Sequence, residues 1–248
     1  MIPLVLIHAF PLDAGMYGGV REQLPSDWQV IAPNLPGFGG TPVADAEPSL
    51  DVYADHVAAE LDRLGVDQAV VGGTSMGGYV VMALCRRHPE RVAGLALIDT
   101  KAVADAEAAA DGRRAMADRL ASEQSAAALV DAVMPKLLGA TTFATRTDLV
   151  SAVQSQVAAC APDAAAWAQR AMAARPDSLQ TLAAMSVPAV VVVGEEDVLT
   201  VPAESVKMAE SMVDARLVVI PEVGHLTPVE APDDVAVALR HLQAAVDG

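Results

Sequence analysis

Cysteine, lysine and long apolar runs are all scarce in this chain. Its two cysteines, Cys85 and Cys160, are too few for a disulfide scaffold and form no C-x-x-C pair, which excludes the small cross-linked secreted folds. Lysine occurs only at Lys101, Lys136 and Lys207, and Lys plus Arg total 16 against 32 Asp plus Glu, a net charge of −16. A field of that sign repels phosphate backbones and argues against nucleic-acid binding; a solvated acidic surface is the simpler reading. No run of about 18 uncharged apolar residues occurs, so no membrane-spanning helix is expected. The opening residues, MIPLVLIHAF, carry neither a basic segment nor a small-residue cleavage site. They read as a strand, and the expected compartment is the cytoplasm. Internal repeats and low-complexity linkers are also missing. No His, Cys or carboxylate spacing suggests a metal site, and no cofactor is expected.

What is present is apolarity. Hydrophobic residues make up 53% of the 248 and mean hydropathy is +0.35, which excludes a disordered chain. A chain of this length buries roughly 70–75% of its unfolded surface and needs no metal or disulfide to hold a core. It has room for one full α/β domain with an elaboration.

Short apolar runs bounded by Gly, Asp, His or Pro read as buried strands: Leu4–Ile7, Gln29–Ala32, Ala69–Gly72 and Leu95–Ile98. Between them, Leu50, Ala54, Val57, Leu61 and Leu64 form one helical stripe with Ser49 as its cap. A second helix is predicted from Met76 to Arg87, ending before Pro89, with basic residues suited to the negative end of its dipole. From Lys101 to about Ala184 the texture changes to Ala-rich helical segments broken by Pro and Gly. Strand grammar then returns at Ala189–Val193 and Leu217–Ile220, with helices near Ala203–Met212 and from Asp233. Such alternation implies a mostly parallel sheet flanked by helices. The expected division is a core of residues 1–100 and 185–248, with residues 101–184 inserted as a helical elaboration.

The candidate chemistry begins at Gly73-Thr74-Ser75-Met76-Gly77. A G-x-S-x-G arises by chance about 0.05 times in such a chain, with glycine near 7% of residues; its place between a buried strand and a helix makes it informative. That junction turns sharply, straining the residue at its apex, and the flanking glycines remove the Cβ atoms that would clash. Ser75 is then presented above the sheet edge. A serine hydroxyl needs a base to take its proton. His56, His88 and His241 fall at helix positions of no special character, and His8 opens the loop after the first strand. His225 follows the last strand, on the edge where the loops of a parallel sheet converge on ligands. The base in turn needs a carboxylate. Asp197, after strand Ala189–Val193, is the choice that gives the order Ser, Asp, His; Glu196 and Asp99 are its rivals, and Glu195 and Glu196 are expected to solvate the loop. Oxyanion donors are expected from the amides of Met76 and of Phe10, because Pro11 has no N–H.

These residues resemble the α/β-hydrolase family, and the resemblance covers nearly the whole chain: LIHAFPLD, APNLPGFGG, GGTSMGGYVVMAL, HPERVAGLALID, VVVGEEDVLTVP and VGHLTPVEAP. The chain looks most like the small-capped serine esterase, enol-lactonase and cofactor-free perhydrolase branch, in which the insertion is a helical cap over the site. The family's nucleophile, acid and base positions fall on Ser75, Asp197 and His225. Two departures stand out: Ala9 replaces the glycine usual after the oxyanion-loop histidine, and Asn34 replaces the usual aspartate before Pro-Gly-x-Gly. A Ser nucleophile disfavours the dehalogenase and epoxide-hydrolase chemistries of the fold.

The expected reaction is hydrolysis of a small or medium carboxylic ester or lactone through an acyl-enzyme. Perhydrolysis, thioester or C–C hydrolysis on the same triad, and a slow-turnover ligand receptor, are the alternatives. Leu199 and the insertion residues Met134, Leu138, Phe143 and Trp167 are the expected pocket walls. A cap arginine facing the site (Arg146, Arg170 or Arg175) would favour a carboxylate-bearing lactone. The expected partner is a small molecule, with neither nucleic acid nor membrane, and nothing in the sequence specifies an oligomeric state.

Overall fold

A computed structural model describes residues 1–248. The chain begins with β1 (Leu4–Ile7), α1 (Gly18–Gln23) and β2 (Val30–Ile31), followed by α2 (Leu50–Arg63), β3 (Ala69–Thr74), α3 (Met76–Arg87) and β4 (Val92–Ile98). Six helices come next: α4 (Glu107–Glu123), α5 (Ala127–Leu137), α6 (Ala140–Thr145), α7 (Thr147–Ala158), α8 (Pro162–Ala173) and α9 (Leu179–Ala183). The chain then returns to the sheet through β5 (Ala189–Gly194), α10 (Pro202–Ser211) and β6 (Ala215–Ile220), and ends with α11 (Thr227–Glu230) and α12 (Pro232–Asp247).

The six strands form one sheet in the order β2-β1-β3-β4-β5-β6, and every neighbouring pair is parallel. β1, β3 and β5 are buried along their whole length, as Val- and Leu-rich strands covered on both faces must be. β6 lies at the edge, where Arg216 and Val219 reach solvent. From β1 the chain moves outward to β2 and then crosses back to β3 on the other side of β1. The carboxyl ends of β1 and β3 therefore flank the point where the winding reverses, which is where open α/β sheets bind ligands.

α2 forms as its stripe predicts. Leu50, Ala54, Val57 and Leu61 are buried, and the Ser49 hydroxyl accepts from the Asp51 amide. The helix ends at Arg63, however, and Leu64 lies beyond it, exposed. α3 is buried from Met76 to Cys85 between the sheet and its neighbours. Its terminal Arg86 and Arg87 pair with Asp51 and Asp55 of α2, so their charges serve the packing of two helices as well as the dipole of one. Leu129, Leu137 and Trp167 of the inserted helices belong to the same buried cluster as the strands. No helix is long and apolar enough to cross a membrane.

Candidate active site

Ser75 stands between β3 and α3 with φ 55° and ψ −113°, a backbone conformation that costs energy in a residue with a Cβ. Packing holds it there. The Ser75 amide donates to the Ile98 carbonyl at 2.9 Å, and the Thr100 hydroxyl donates to the Ser75 carbonyl at 2.8 Å. A Cβ on Gly77 would strike the carbonyls of Ile7 and His8, and one on Gly73 would strike the backbone of Gly77. Only glycine at both positions lets α3 approach β1 and β3 this closely.

The Ser75 Oγ lies 2.8 Å from His225 Nε2, and His225 Nδ1 lies 2.8 Å from Asp197 Oδ2. Asp197 is almost fully buried and accepts from the Leu199 and Thr200 amides and the Thr200 hydroxyl. Burial works against its charge, but the His225 ring and the Thr200 donors outweigh it and hold the carboxyl below its usual range. With Asp197 as acceptor, Nδ1 of His225 carries the proton and Nε2 is left to accept from Ser75.

Asp99, the rival carboxylate, lies elsewhere. It accepts from the amide and hydroxyl of Thr227 and from the Gly194 amide, and makes no hydrogen bond to His225. Burial and the nearby charge of Asp197 push its carboxyl well up. Glu196, expected to solvate its loop, instead accepts from the amide and hydroxyl of Thr141 at 2.8 and 2.6 Å. It finds a partner because α6 docks its first turn there.

Glu230 mirrors it from the other side. One carboxyl oxygen accepts the amides of Gly224 and Leu226, which flank His225. The other accepts the Gly139 amide and the Thr142 hydroxyl at 2.8 and 2.6 Å. The loops bearing Asp197 and His225 are thus both tied to the start of α6. Reading from sequence did not single out Glu230; its place five residues after His225 is the available signal.

The Met76 amide opens α3 and so has no intrahelical acceptor. The Phe10 amide donates to no backbone carbonyl. The two amides follow β1 and β3, the strands that flank the switch point. His8 is fully buried, with Nδ1 against the Ala9 carbonyl and Nε2 accepting from the Leu35 amide, each at 3.1 Å. Burial lowers its pKa to about 4. Ala9 is buried, with its amide on the Met16 sulfur, and Asn34 bridges the Ala14 amide to the Gly39 carbonyl. These contacts pack the loops behind Phe10.

Ser75 and His225 open on a cavity of ≈ 120 Å³. Its apolar wall is Phe10, Val133, Leu137, Met172 and Leu199, and its polar wall adds Tyr79, Lys101, Arg113, Gln169 and Thr200. Of the expected pocket residues, Leu199 lines it. Met134 and Phe143 instead line a separate open pocket against α7, with Val150 and Gln154 of that helix. Leu138 is buried beside the backbone of Gly224. Trp167 packs against Tyr53, with ring centroids 4.7 Å apart and planes tilted by 42°, and donates its indole N–H to the Ala46 carbonyl. The three expected cap arginines also turn away: Arg146 donates to the Glu230 carbonyl, Arg170 to Asp118 and Arg175 to Asp105. Two missed wall residues carried a readable signal. Tyr79 is one helical turn after Ser75, and Thr200 follows Asp197 at the spacing of a side-chain-closed turn.

No group of three or more His, Cys, Asp and Glu side chains is arranged to hold a metal ion.

Residues 2–232 match a family model described as the alpha/beta hydrolase fold. The pimeloyl-[acyl-carrier protein] methyl ester esterase of Aromatoleum aromaticum is 31% identical over 247 residues, covering 96% of each chain. Among solved structures, a thermophilic esterase from Thermogutta terrifontis, with malate bound, superposes with a TM-score of 0.96 at 36% identity, over 100% of this chain and 91% of that one. The enol-lactonase of Burkholderia xenovorans shares the fold, with a TM-score of 0.88 at 22% identity, over 98% and 92% of the two chains.

Proposed function

The chain belongs to the α/β-hydrolase fold family as a carboxylic-ester hydrolase, and from that premise we propose that it cleaves small esters or lactones through an acyl-enzyme on Ser75. The observation that carries this reading is the unbroken line from Ser75 Oγ through His225 to Asp197, with both links at 2.8 Å. Ser75 attacks the carbonyl carbon while His225 Nε2 takes its proton, and Asp197 stabilises the imidazolium that forms. The oxyanion rests on the amides of Met76 and Phe10. The tetrahedral intermediate collapses, His225 gives the proton to the departing alkoxide, and the alcohol leaves. Water, deprotonated by the same His225, then attacks the acyl-enzyme; Ser75 departs with the proton and the acid is released.

In this reading residues 1–100 and 185–248 are the catalytic core and residues 101–184 are a cap that closes the acyl pocket. Arg113, Val133, Leu137, Gln169 and Met172, all from that segment, support the cap role by forming one wall of the cavity. The cavity volume of ≈ 120 Å³ favours a short acyl group.

The test is intact-mass labelling by a small fluorophosphonate, on wild type and Ser75→Ala. One adduct on wild type and none on the variant is the expected result. A folded wild type that takes no adduct would overturn the mechanism.

A further inference from the structure

Around Asp105, just past β4, three cations converge on one carboxylate. Arg175 grips it with both terminal nitrogens at 2.6 and 2.8 Å, Arg113 Nε donates to it at 2.7 Å, and Lys101 Nζ lies 3.3 Å away. Three positive charges on one negative leave two uncompensated. The anchor is buried: the side chains of Asp105 and Arg175 are 2% and 4% exposed. Arg175 also lies over the Tyr79 ring, 4.1 Å from its centroid.

Lys101 and Arg113 are different. Their side chains are 22% and 26% exposed, and both line the cavity that opens on Ser75 and His225. Arg113 spends Nε on Asp105 and Nη1 on Gln169, so Nη2 has no protein acceptor. Lys101 has only its long contact to Asp105. No Asp or Glu lines the cavity, in a chain whose acids outnumber its bases 32 to 16. A pair of half-used cations on the wall of a chamber that no acidic side chain lines is placed to receive an anion.

We infer that Lys101 and Arg113 form an anion subsite, and that the preferred substrates are esters or lactones whose acyl part carries a second, free carboxylate. The inference rests on Ser75 as nucleophile. In a cavity this small the subsite has room for a planar carboxylate, held at one side by the Arg113 Nη2 and at the other by the Lys101 ammonium. Asp105 and Arg175 act from behind: they hold the two cations in place and touch no substrate.

The experiment compares monomethyl esters of short dicarboxylic acids with methyl esters of unsubstituted alkanoic acids of equal chain length. For wild type the expected kcat/KM ratio favours the hemiester at least about tenfold, through KM, and the ratio shrinks as salt is raised. Arg113→Gln and Lys101→Met should each lower that ratio about tenfold or more, and Arg113→Lys should restore part of it. A wild-type ratio of one or less, or a ratio indifferent to both substitutions, overturns the assignment. A phosphonate-tailed ester preferred over the carboxylate would overturn the carboxylate in favour of a phosphate-bearing substrate. Should the variants fail to fold, competitive inhibition of wild type decides: a free dicarboxylate should inhibit at least tenfold more strongly than the matching neutral diamide, and equal inhibition refutes the subsite. Fluorophosphonate labelling separates this failure from failure of the Ser75 mechanism, since an adduct with no anion preference rejects the subsite alone.

Discussion

Replacing Asp197 by asparagine keeps the shape of the side chain and reverses one of its two oxygens from acceptor to donor. Four donors aim at this carboxylate. The backbone amides of Leu199 and Thr200 point at Oδ1, at 2.8 and 2.9 Å. The Thr200 hydroxyl and the His225 ring meet Oδ2. Backbone amides cannot turn away, so the asparagine oxygen must face them and its NH₂ must face His225. The hydroxyl can rotate, and the imidazole can adapt by moving its proton to Nε2 so that Nδ1 accepts from the new NH₂. That tautomer presents an N–H to Ser75 Oγ where a base is needed.

The packing survives and proton abstraction does not, so kcat should fall about 10⁴-fold, or roughly 5.4 kcal/mol of barrier, with little change in KM. Steady-state hydrolysis of an activated acetate ester, together with the rate of fluorophosphonate labelling, reads both effects. Asp99→Asn is the matched control. Burial and the charge of Asp197 push the Asp99 carboxyl upward, and Asp99 makes no hydrogen bond to His225; its two oxygens face the backbone amides of Gly194 and Thr227, so asparagine there lowers stability without reaching the base. It should cost less than about tenfold. A silent Asp197→Asn, or an equal loss at Asp99→Asn, would refute the assignment of the acid.

Two further outcomes follow from the same geometry. Glu230→Gln puts an NH₂ against one of its two donor pairs; the loss of that pair should lower Tm by an amount equivalent to about 1–3 kcal/mol and reduce kcat more than it raises KM, as steady-state kinetics will show. His8 has its pKa lowered by burial from 6.5 to about 4, so the folded state binds fewer protons than the unfolded one. The stability His8 contributes is complete above about pH 6.5 and is lost as pH falls toward 4, about 2 kcal/mol by pH 5. Urea unfolding should show that slope in wild type and not in His8→Gln, and the difference between the two removes the opposing contribution of Asp99.

Chain position accounts for what could be read ahead of the structure. β1 and α3 run between the residues predicted, Leu4–Ile7 and Met76–Arg87, because apolar runs there stop at His, Gly or Pro. β4 starts earlier than predicted, at Val92, since Gly94 interrupts its apolar run without interrupting the strand. Ser75, Asp197 and His225 stand in segments that follow parallel strands, and parallel strands deliver such segments to one edge whatever else the chain does. That makes a Ser–His–Asp constellation visible from strand order and residue type alone. The residue that ties the His225 loop to α6, Glu230, sits in an unremarkable short helix and depends on docking that no local pattern encodes.

The cavity wall depends on rotation, which sequence pattern leaves open in Ala-rich helices. Val133 and Leu137 are one turn apart on α5 and face the cavity, whereas Met134, one residue along, is turned by about 100° and packs toward α7, where it lines a different pocket. α5 is apolar on more than one side, so composition does not choose between those faces; contact with the core does. The size of Trp167 suits a cavity wall, yet a buried indole needs an acceptor, and the Ala46 carbonyl supplies one outside the cavity. Lys101 and Arg113 suffer the opposite ambiguity, because isolated basic residues usually mean surface. Only the buried Asp105, held by Arg175, turns them inward. In the proposed reading the chemistry of this chain is written at strand ends, where topology places it, and its choice of substrate on helix faces and side-chain anchors. Substitutions at Arg113 and Lys101 should consequently move substrate preference, and those at Asp197 and His225 the rate on every ester alike.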